Sequence, residues 1–246
     1  MRAVILAGGR GTRLRPFTTS FPKPLMPVGD IPILEILLRQ LKEHGVTEVT
    51  LLTGHLAYLL EGYFEDGRRL GLTIDYVRED RPLGTAGPLR QLAGSLVDDF
   101  FVMNGDLLTD MDFTALMARH RENGAPVTVS VHTRAEKIEL GILNVDASGD
   151  VVGYDEKPTL KLDVSMGAYA MSPRALAEIP AGPYDMPQLI LDLLAKGARV
   201  GSWRHEGFWL DIGRVDDYSR ADRMFSENRA AFLPRQRSGH EARSAP

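Results

Sequence analysis

A short apolar strand that runs into a glycine-rich turn constrains this chain more than any other feature. The aliphatic run Ala3–Leu6 is typical of a buried strand, and glycines follow it at positions 8, 9 and 11. A turn at the carboxyl end of a strand lies where α/β sheets bind their ligands. Without Cβ atoms its backbone can approach a phosphate closely and direct N–H groups at it. We therefore predict a polyphosphate-binding loop, to which positive charge is added by Arg10, Arg13, Arg15 and Lys23.

Two common phosphate-binding loops do not fit the spacing. The dinucleotide fingerprint needs a third glycine after Gly9 and Gly11, but Leu14 stands at that position. No acidic residue ends a second strand as that fingerprint requires, and the loop does not close with the Gly-Lys-Ser/Thr of a P-loop. A dinucleotide-dependent oxidoreductase is therefore excluded.

The remaining pattern carries a family resemblance. The segments Gly8–Leu14 (GGRGTRL) and Pro22–Leu25 (PKPL) resemble the signature of the sugar-1-phosphate nucleotidyltransferases, the nucleotide-sugar pyrophosphorylases. The similarity extends from Arg2 to about Ser219 and is greatest to the mannose- and heptose-1-phosphate guanylyltransferases. It implies an α/β fold: a Rossmann-like, mostly parallel sheet flanked by helices, with a smaller mixed β lobe that binds the sugar.

The order of predicted elements agrees with that fold. Strands and helices alternate as far as about residue 132, which favours a parallel sheet, and short strands with turns follow from Leu140. We expect one nucleotidyltransferase domain over residues 1–233, with a nucleotide-binding lobe at about 1–135 and a sugar-binding lobe at about 136–233. A helix is predicted from Thr85 or Ala86 to Leu92, with Thr85 as its N-cap. Residues 234–246 carry no large apolar side chain and are predicted to be a disordered tail.

Composition limits the partners of the chain. Hydrophobic residues make up 43% and charged residues 25% of the sequence, which is ordinary for a globular domain. The net charge of −4 argues against a nucleic-acid partner, so a local basic cleft must attract an anionic substrate. The absence of cysteine fits a reducing cytoplasm, and neither a secretion signal nor a membrane-spanning run is evident. We expect a cytoplasmic protein with no membrane partner. A homodimer is compatible with the family resemblance.

A second glycine-containing loop extends the predicted nucleotide site. The run Pro82–Gly87 (PLGTAG) is similar to the base-binding loop of the resembling family. Together with the first loop, the resemblance implies a nucleotide-binding set that consists of Leu6, Ala7, Gly8, Gly9, Gly11, Thr12, Arg13, Lys23, Glu79, Gly84, Thr85, Ala86 and Asp106.

Two aspartates are predicted to hold a metal ion. Asp106 ends a buried strand in the run Asn-Gly-Asp, and the resemblance supplies Asp211 of the run Trp-Leu-Asp-Ile-Gly as its partner. Nothing in the spacing brings the two together. Two carboxylates beside phosphates suit a hard octahedral cation that keeps most of its waters, so Mg²⁺ is the expected cofactor.

The predicted sugar-phosphate site lies in the second half of the chain. Glu156 and Lys157 match the Glu-Lys-Pro motif of the family, in which the lysine pairs with the sugar phosphate and the glutamate accepts from sugar hydroxyls. Gly141 and Gly167 complete this set. Related enzymes usually carry an asparagine near Val164, and this chain has none, which leaves the identity of the sugar open.

The resemblance implies a reaction with defined roles. An oxygen of a sugar 1-phosphate attacks the α-phosphorus of a nucleoside triphosphate (NTP) and expels pyrophosphate. Arg13 is assigned to the leaving pyrophosphate, Lys23 to the α-phosphate and Lys157 to the attacking phosphate, while Asp106 and Asp211 hold the metal. A non-catalytic nucleotide-sugar sensor on the same fold is the alternative, and it predicts loss of one or more of these five residues. All five are present.

The preferred base is predicted from Glu79, which ends a strand just before the second loop. An ionised carboxylate can only accept hydrogen bonds, and guanine alone offers two adjacent donors, N1–H and the N2 amino group. Related uridylyl- and thymidylyltransferases tend to carry glutamine here. We therefore expect GTP as the nucleotide, with uridylyl or thymidylyl transfer as the alternative. Glu79 could instead be a solvated member of the charged run from Arg78 to Arg81.

Overall fold

The computed structural model describes residues 1–233, which contain thirteen strands and seven α-helices. The strands are β1 (Arg2–Ala7), β2 (Pro27–Val28), β3 (Ile31–Pro32), β4 (Glu48–Thr53), β5 (Thr73–Arg78), β6 (Phe100–Asn104), β7 (Leu107–Thr109), β8 (Val127–Lys137), β9 (Ile142–Val145), β10 (Val151–Asp155), β11 (Thr159–Met171), β12 (Val200–His205) and β13 (Trp209–Asp211). The helices are α1 (Ile33–Glu43), α2 (Ala57–Phe64), α3 (Phe113–Asn123), α4 (Pro173–Leu176), α5 (Met186–Ala195), α6 (Val215–Glu227) and α7 (Arg229–Phe232). The tail predicted at residues 234–246 lies outside the described residues.

Seven strands form the central sheet, in the order β12-β8-β11-β6-β1-β4-β5. Four of its six adjacent pairs are parallel, and only β11 runs against both of its neighbours. Three two-stranded sheets, β9–β10, β7–β13 and β2–β3, lie beside it. The predicted mostly parallel α/β sheet with smaller β elements is confirmed. The division into lobes at residue 135 stays a prediction, and β11 and β12 of the second half belong to the central sheet.

The core covers both faces of this sheet because successive strand residues point to opposite sides. Along β1, Ala3 and Ile5 belong to the core cluster formed with α1, α2 and α3. Val4, on the opposite face, belongs to the cluster formed with α4 and α5. The apolar residues of α1 recur at helical spacing and are almost completely buried. Within residues 1–233, no helix combines the length and apolar character needed to cross a bilayer.

The parallel strands β6, β1, β4 and β5 end together at one edge of the central sheet. Leu6 of β1 pairs with Asn104 of β6, and Thr53 of β4 pairs with Arg78 of β5. The residues that follow these strands therefore leave the sheet side by side at its carboxyl edge. The two glycine-containing loops and the Asn-Gly-Asp run all begin there, as the sequence predicts.

The structure corrects one predicted helix. Residues Gly87–Leu92 form a 3-10 helix rather than an α-helix from Thr85 or Ala86. Pro88 has no N–H to give to a helical bond, and the Gly87 N–H donates to the carbonyl of Tyr184 at 2.8 Å. The predicted N-cap is also wrong, since no side chain caps this 3-10 helix. Thr85 Oγ1 instead accepts from the N–H of Met186, at the start of α5 (2.8 Å).

Candidate active site

A cavity of about 420 Å³ opens at the carboxyl edge of the central sheet. Twelve of the thirteen predicted nucleotide-binding residues line it; the exception is Ala86, which is completely buried. Its walls consist of Leu6, Ala7, Gly8, Gly9, Gly11, Thr12, Arg13, Lys23, Pro24, Glu79, Pro82, Gly84, Thr85, Asn104, Gly105 and Asp106. The volume is in the range of small-molecule sites.

Tight packing holds the first loop in shape. Gly11 has a φ of +57°, and a Cβ on this residue would lie 2.9 Å from Cγ2 of Thr18. The Thr18 hydroxyl donates to the Gly11 carbonyl at 2.7 Å, and this hydrogen bond fixes the turn. Leu14 is buried and anchors the short 3-10 helix Thr12–Leu14 that follows. Because Leu14 is held in the core, Arg13 is placed on the cavity wall.

Lys23 lies between the two predicted metal-binding carboxylates. Its ammonium group pairs with Oδ2 of Asp106 and lies 3.7 Å from Oδ1 of Asp211. Only 12% of the Lys23 side chain and 18% of the Asp106 side chain are exposed, whereas Asp211 is 43% exposed. The structure therefore brings together three of the five residues to which the sequence assigns the chemistry.

A small antiparallel ladder joins the two aspartates, which are far apart in the chain. Asp211 of β13 pairs with Leu107 of β7, the residue that follows Asp106. In addition, the N–H of Ile212 donates to the Asp106 carbonyl at 3.3 Å. With only three residues, β7 is too short to show a periodic pattern, so the sequence could not predict this pairing. The resemblance alone placed Asp211 beside Asp106.

The acidic pair fits a bound cation. Oδ1 of Asp106 is buried and has no hydrogen-bond partner among the described residues. Burial raises the pKa of the Asp211 carboxyl, and the negative charge of Asp106 raises it further, against the opposing effects of Lys23 and Arg13. In residues 1–233 no group of three or more His, Asp or Glu side chains could hold a metal, so most ligands of such a cation would be waters or phosphate oxygens.

Glu79 stands on the wall of the cavity and is half-buried. One of its oxygens, Oε2, accepts from the N–H of Leu83 at 3.0 Å and so closes the turn into the second loop. The other, Oε1, lies 2.7 Å from the position that a Cβ on Gly8 would take. Burial raises the pKa of the Glu79 carboxyl, partly offset by the Leu83 hydrogen bond. The reading of Glu79 as a fully solvated residue is therefore wrong.

The predicted sugar-phosphate residues lie apart from this cavity. Glu156 and Lys157 follow β10; their charged groups are 3.8 Å apart, and both side chains are more than half exposed. The hydroxyl of Tyr154 donates to Glu156 at 2.8 Å. Gly141 packs directly against the Tyr154 phenol and has no room for a side chain. None of Gly141, Glu156 and Lys157 lines the cavity in the structure.

Gly167 is the predicted sugar-site residue that approaches the cavity. It has a φ of +71° and lies where the pairing of β11 with β8 is irregular. A Cβ on Gly167 would lie 2.5 Å from the side-chain nitrogen of Asn104, which is a wall residue of the cavity. Asn104 was not among the predicted site residues, although its place at the end of β6, two residues before Asp106, was a usable signal.

Comparison with known proteins agrees with this geometry. The family model described as "Nucleotidyl transferase" matches residues 2–228 of the chain. The chain belongs to the nucleotidyl transferase family. The family resemblance inferred from the motifs is therefore confirmed.

Curated relatives of this nucleotidyl transferase differ in the base named in their descriptions. A UTP–glucose-1-phosphate uridylyltransferase of Synechocystis is 35% identical over 91% of the chain. A mannose-1-phosphate guanylyltransferase catalytic subunit beta of Xenopus tropicalis is 36% identical over 89% of it. The matches span 63% and 62% of the lengths of these relatives. Because the two identities are nearly equal, overall similarity does not choose between uracil and guanine.

A solved structure shows the same fold. It is described as a putative glucose-1-phosphate thymidylyltransferase from Bacillus anthracis in complex with a sucrose. The TM-score is 0.74 at 22% identity, with 91% of this chain and 95% of the other covered. At this level of identity the similarity is one of fold.

Proposed function

We propose that this nucleotidyl transferase moves a nucleotidyl group from an NTP to a sugar 1-phosphate and releases pyrophosphate. The observation that carries the proposal is that Arg13, Lys23 and Asp106 line one cavity together with residues of the two glycine-containing loops. A cavity of this kind offers backbone N–H groups and two cations to a polyphosphate, and carboxylates to its counter-ion.

The chemistry requires positioning more than proton transfer. The phosphate oxygen of a sugar 1-phosphate is already an anion at neutral pH, so the attack needs no general base. The protein has to hold two anions in line and offset the charge on the phosphorus and on the leaving pyrophosphate. In this proposal Lys23 contacts the α-phosphate, Arg13 contacts the pyrophosphate and Lys157 binds the attacking phosphate.

A divalent cation, Mg²⁺, is part of the proposal. The buried, unpartnered Oδ1 of Asp106 and the neighbouring carboxylate of Asp211 would hold it. When bound, Mg²⁺ would supply positive charge next to the phosphate oxygens. A non-catalytic sensor on this fold is disfavoured because Arg13, Lys23 and both aspartates are present. Lys23 lies within 4 Å of both aspartates, and Arg13 lines the same cavity as Lys23.

A substrate matrix tests the proposed reaction. Each of ATP, CTP, GTP, UTP and dTTP is mixed with each of several hexose, amino-sugar and heptose 1-phosphates in the presence of Mg²⁺. We expect pyrophosphate release only where an NTP and a sugar 1-phosphate are both present. Asp106→Asn should abolish nearly all of it without unfolding the protein. Absence of release across the whole matrix would contradict the proposal.

We further propose that guanine is the preferred base. Glu79 lines the cavity, and its Oε1 accepts no hydrogen bond within the described residues, while Oε2 accepts from Leu83. Guanine presents two donors on one edge to such an acceptor, whereas uracil and thymine present a single N–H between two carbonyls. Uridylyl transfer is the second candidate, favoured by the identity to the Synechocystis uridylyltransferase.

Glu79→Gln tests the choice of base. In this variant the preference for GTP over UTP should fall by roughly 1–3 kcal/mol, because a guanine donor then faces an amide group instead of a carboxylate. Since burial raises the pKa of Glu79, the wild-type preference should also weaken as the pH falls through that pKa, and the variant should not show this change. Asp80→Asn removes an exposed neighbouring charge and should leave the preference intact. Wild-type protein that favours UTP or dTTP tenfold would contradict the assignment.

A further inference from the structure

The second loop of the nucleotide site is hydrogen-bonded to the segment that begins α5. The N–H groups of Ala86 and Gly87 both donate to the carbonyl of Tyr184, at 2.9 and 2.8 Å. In return, the N–H of Tyr184 donates to the carbonyl of Leu83 at 2.9 Å. The backbone of a loop that lines the cavity is thus fixed by a segment about 100 residues away in the chain. We call residues 82–87 the nucleotide loop.

Asp185 adds side-chain bonds to this contact. Its Oδ1 accepts from the Thr85 N–H at 2.9 Å and lies 3.2 Å from the Thr85 hydroxyl, which can donate to it. The same hydroxyl accepts from the N–H of Met186 at 2.8 Å. Gly84 has a φ of +79°, and a Cβ on it would lie 2.6 Å from Oδ1 of Asp185. Asp185 therefore contacts two adjacent residues of the nucleotide loop, both of which line the cavity.

The orientation of Asp185 is not that of an ordinary helix cap. An aspartate at an N-cap normally accepts from an N–H of its own first turn, as Asp112 does from Ala115 at 3.0 Å in α3. Asp185 is the N-cap residue of α5 but makes no such bond. The Thr85 hydroxyl bonds to the first turn of α5 in its place. The carboxylate of Asp185 is thereby directed away from its own helix and toward the nucleotide loop.

We propose that Asp185 is a positioning residue for the nucleotide site, an inference that rests on the proposed function. Asp185 does not line the cavity, so it acts through Gly84 and Thr85. Bonds from a backbone N–H and a hydroxyl to a carboxylate are charge-assisted and hold the donors more firmly than neutral pairs do. With Asp185 in place, the nucleotide loop keeps its binding shape before the nucleotide arrives, which lowers the ordering entropy lost on binding.

The inference predicts a specific effect on nucleotide affinity. Asp185→Ala should raise the dissociation constant for the nucleotide about tenfold, as expected for loss of bonds to a charged acceptor. The KM for the nucleotide should rise in parallel, while the KM for the sugar 1-phosphate and kcat change little. Asp185→Asn keeps a carbonyl oxygen that can accept from Thr85 and should recover most of the affinity.

The experiment is calorimetric titration of the full chain with GTP and with UTP in the presence of Mg²⁺, together with melting temperatures. Asp112→Ala is the matched control, because it also removes an N-cap aspartate and one negative charge but has no bond to the nucleotide loop. It should lower the melting temperature and leave nucleotide affinity unchanged. Nucleotide affinity of Asp185→Ala equal to that of the wild type would overturn this inference and leave the proposed function standing. Wild-type protein that binds neither nucleotide would overturn both.

Discussion

Lys23 is the residue at which the charges of the site meet. Its ammonium group pairs with the mostly buried Asp106 and is close to the half-exposed Asp211, so three charged groups lie together beside the cavity. Burial disfavours the ionised form of Asp211, and the neighbouring Asp106 carboxylate repels it. The result is a raised pKa for Asp211. In the protein without the proposed cation, the ionised form of Asp211 is therefore unfavourable.

Asp211→Asn should stabilise the ligand-free protein while it removes activity. A carboxyl whose pKa is raised by folding contributes stability below its unfolded pKa and loses that contribution as the pH rises through the folded pKa. At neutral pH the ionised Asp211 therefore destabilises the fold, and the neutral, isosteric asparagine removes that penalty. The melting temperature of the variant should exceed that of the wild type at pH 7. The difference should vanish as the pH falls through the raised pKa of Asp211.

Asp106→Asn gives the contrast for this measurement. Asp106 forms the direct ion pair with the mostly buried Lys23, so its loss leaves that ammonium group with a weaker partner. We expect a lower melting temperature at pH 7 in this variant. If Asp211→Asn also melts below the wild type at pH 7, burial and the Asp106 charge do not determine the effect of ionised Asp211 on stability.

At the scale of elements, pairing between distant strands completes the site. The ladder of β7 with β13 places Asp211, and the irregularity in β11 places Gly167 against Asn104. Local sequence predicted the first strand well: the aliphatic run Ala3–Leu6 lies within β1. It did not predict β7, which has three residues, because so short a strand carries no periodic signal. Pairing is fixed by packing of the whole chain, which local patterns do not record.

Gly167→Ala should impair both stability and turnover. A side chain at a φ of +71° is strained by about 1–2 kcal/mol, and here the new methyl group would also displace Asn104 on the cavity wall. Gly197→Ala is the matched control, with a φ of +73° and no atom within 4 Å of the added Cβ. We expect similar losses of melting temperature from the shared strain and a loss of kcat/KM in Gly167→Ala alone. Equal activity of the two variants would show that contact with Asn104 has no bearing on the site.

At the scale of the whole molecule, residues from both halves of the chain converge on one sheet edge. The first half supplies the glycine-containing loops, Lys23 and Asp106, all of which belong to short motifs that can be recognised in the sequence. The second half supplies Asp211 and Asp185, which the sequence alone does not connect to the site. Resemblance to a family predicted Asp211, because other chains carry the same motif. Nothing in the sequence analysis predicted Asp185, because its role depends on a contact across 100 residues.

The net charge of the whole chain is opposite in sign to the cationic side chains that line the cavity. The chain carries a net charge of −4, yet Arg13 and Lys23 lie on the wall of the cavity proposed for an anionic substrate. Attraction of the nucleotide therefore depends on local charge and not on the field of the whole protein. The exposed Lys157, which follows β10, is the third cation proposed to contact a phosphate, in this case that of the sugar 1-phosphate.

The fate of the α-phosphate tests the central claim most directly. The protein is incubated with Mg²⁺, GTP radiolabelled at the α-phosphate and each sugar 1-phosphate that supports pyrophosphate release, and the products are separated. The account predicts that the label passes into a nucleoside diphosphate sugar, with pyrophosphate unlabelled. It also predicts that Lys23→Met slows this transfer by about 10²–10³-fold. Label recovered as GMP or GDP, or a rate that does not depend on the sugar 1-phosphate, would contradict nucleotidyl transfer as the function of this cavity.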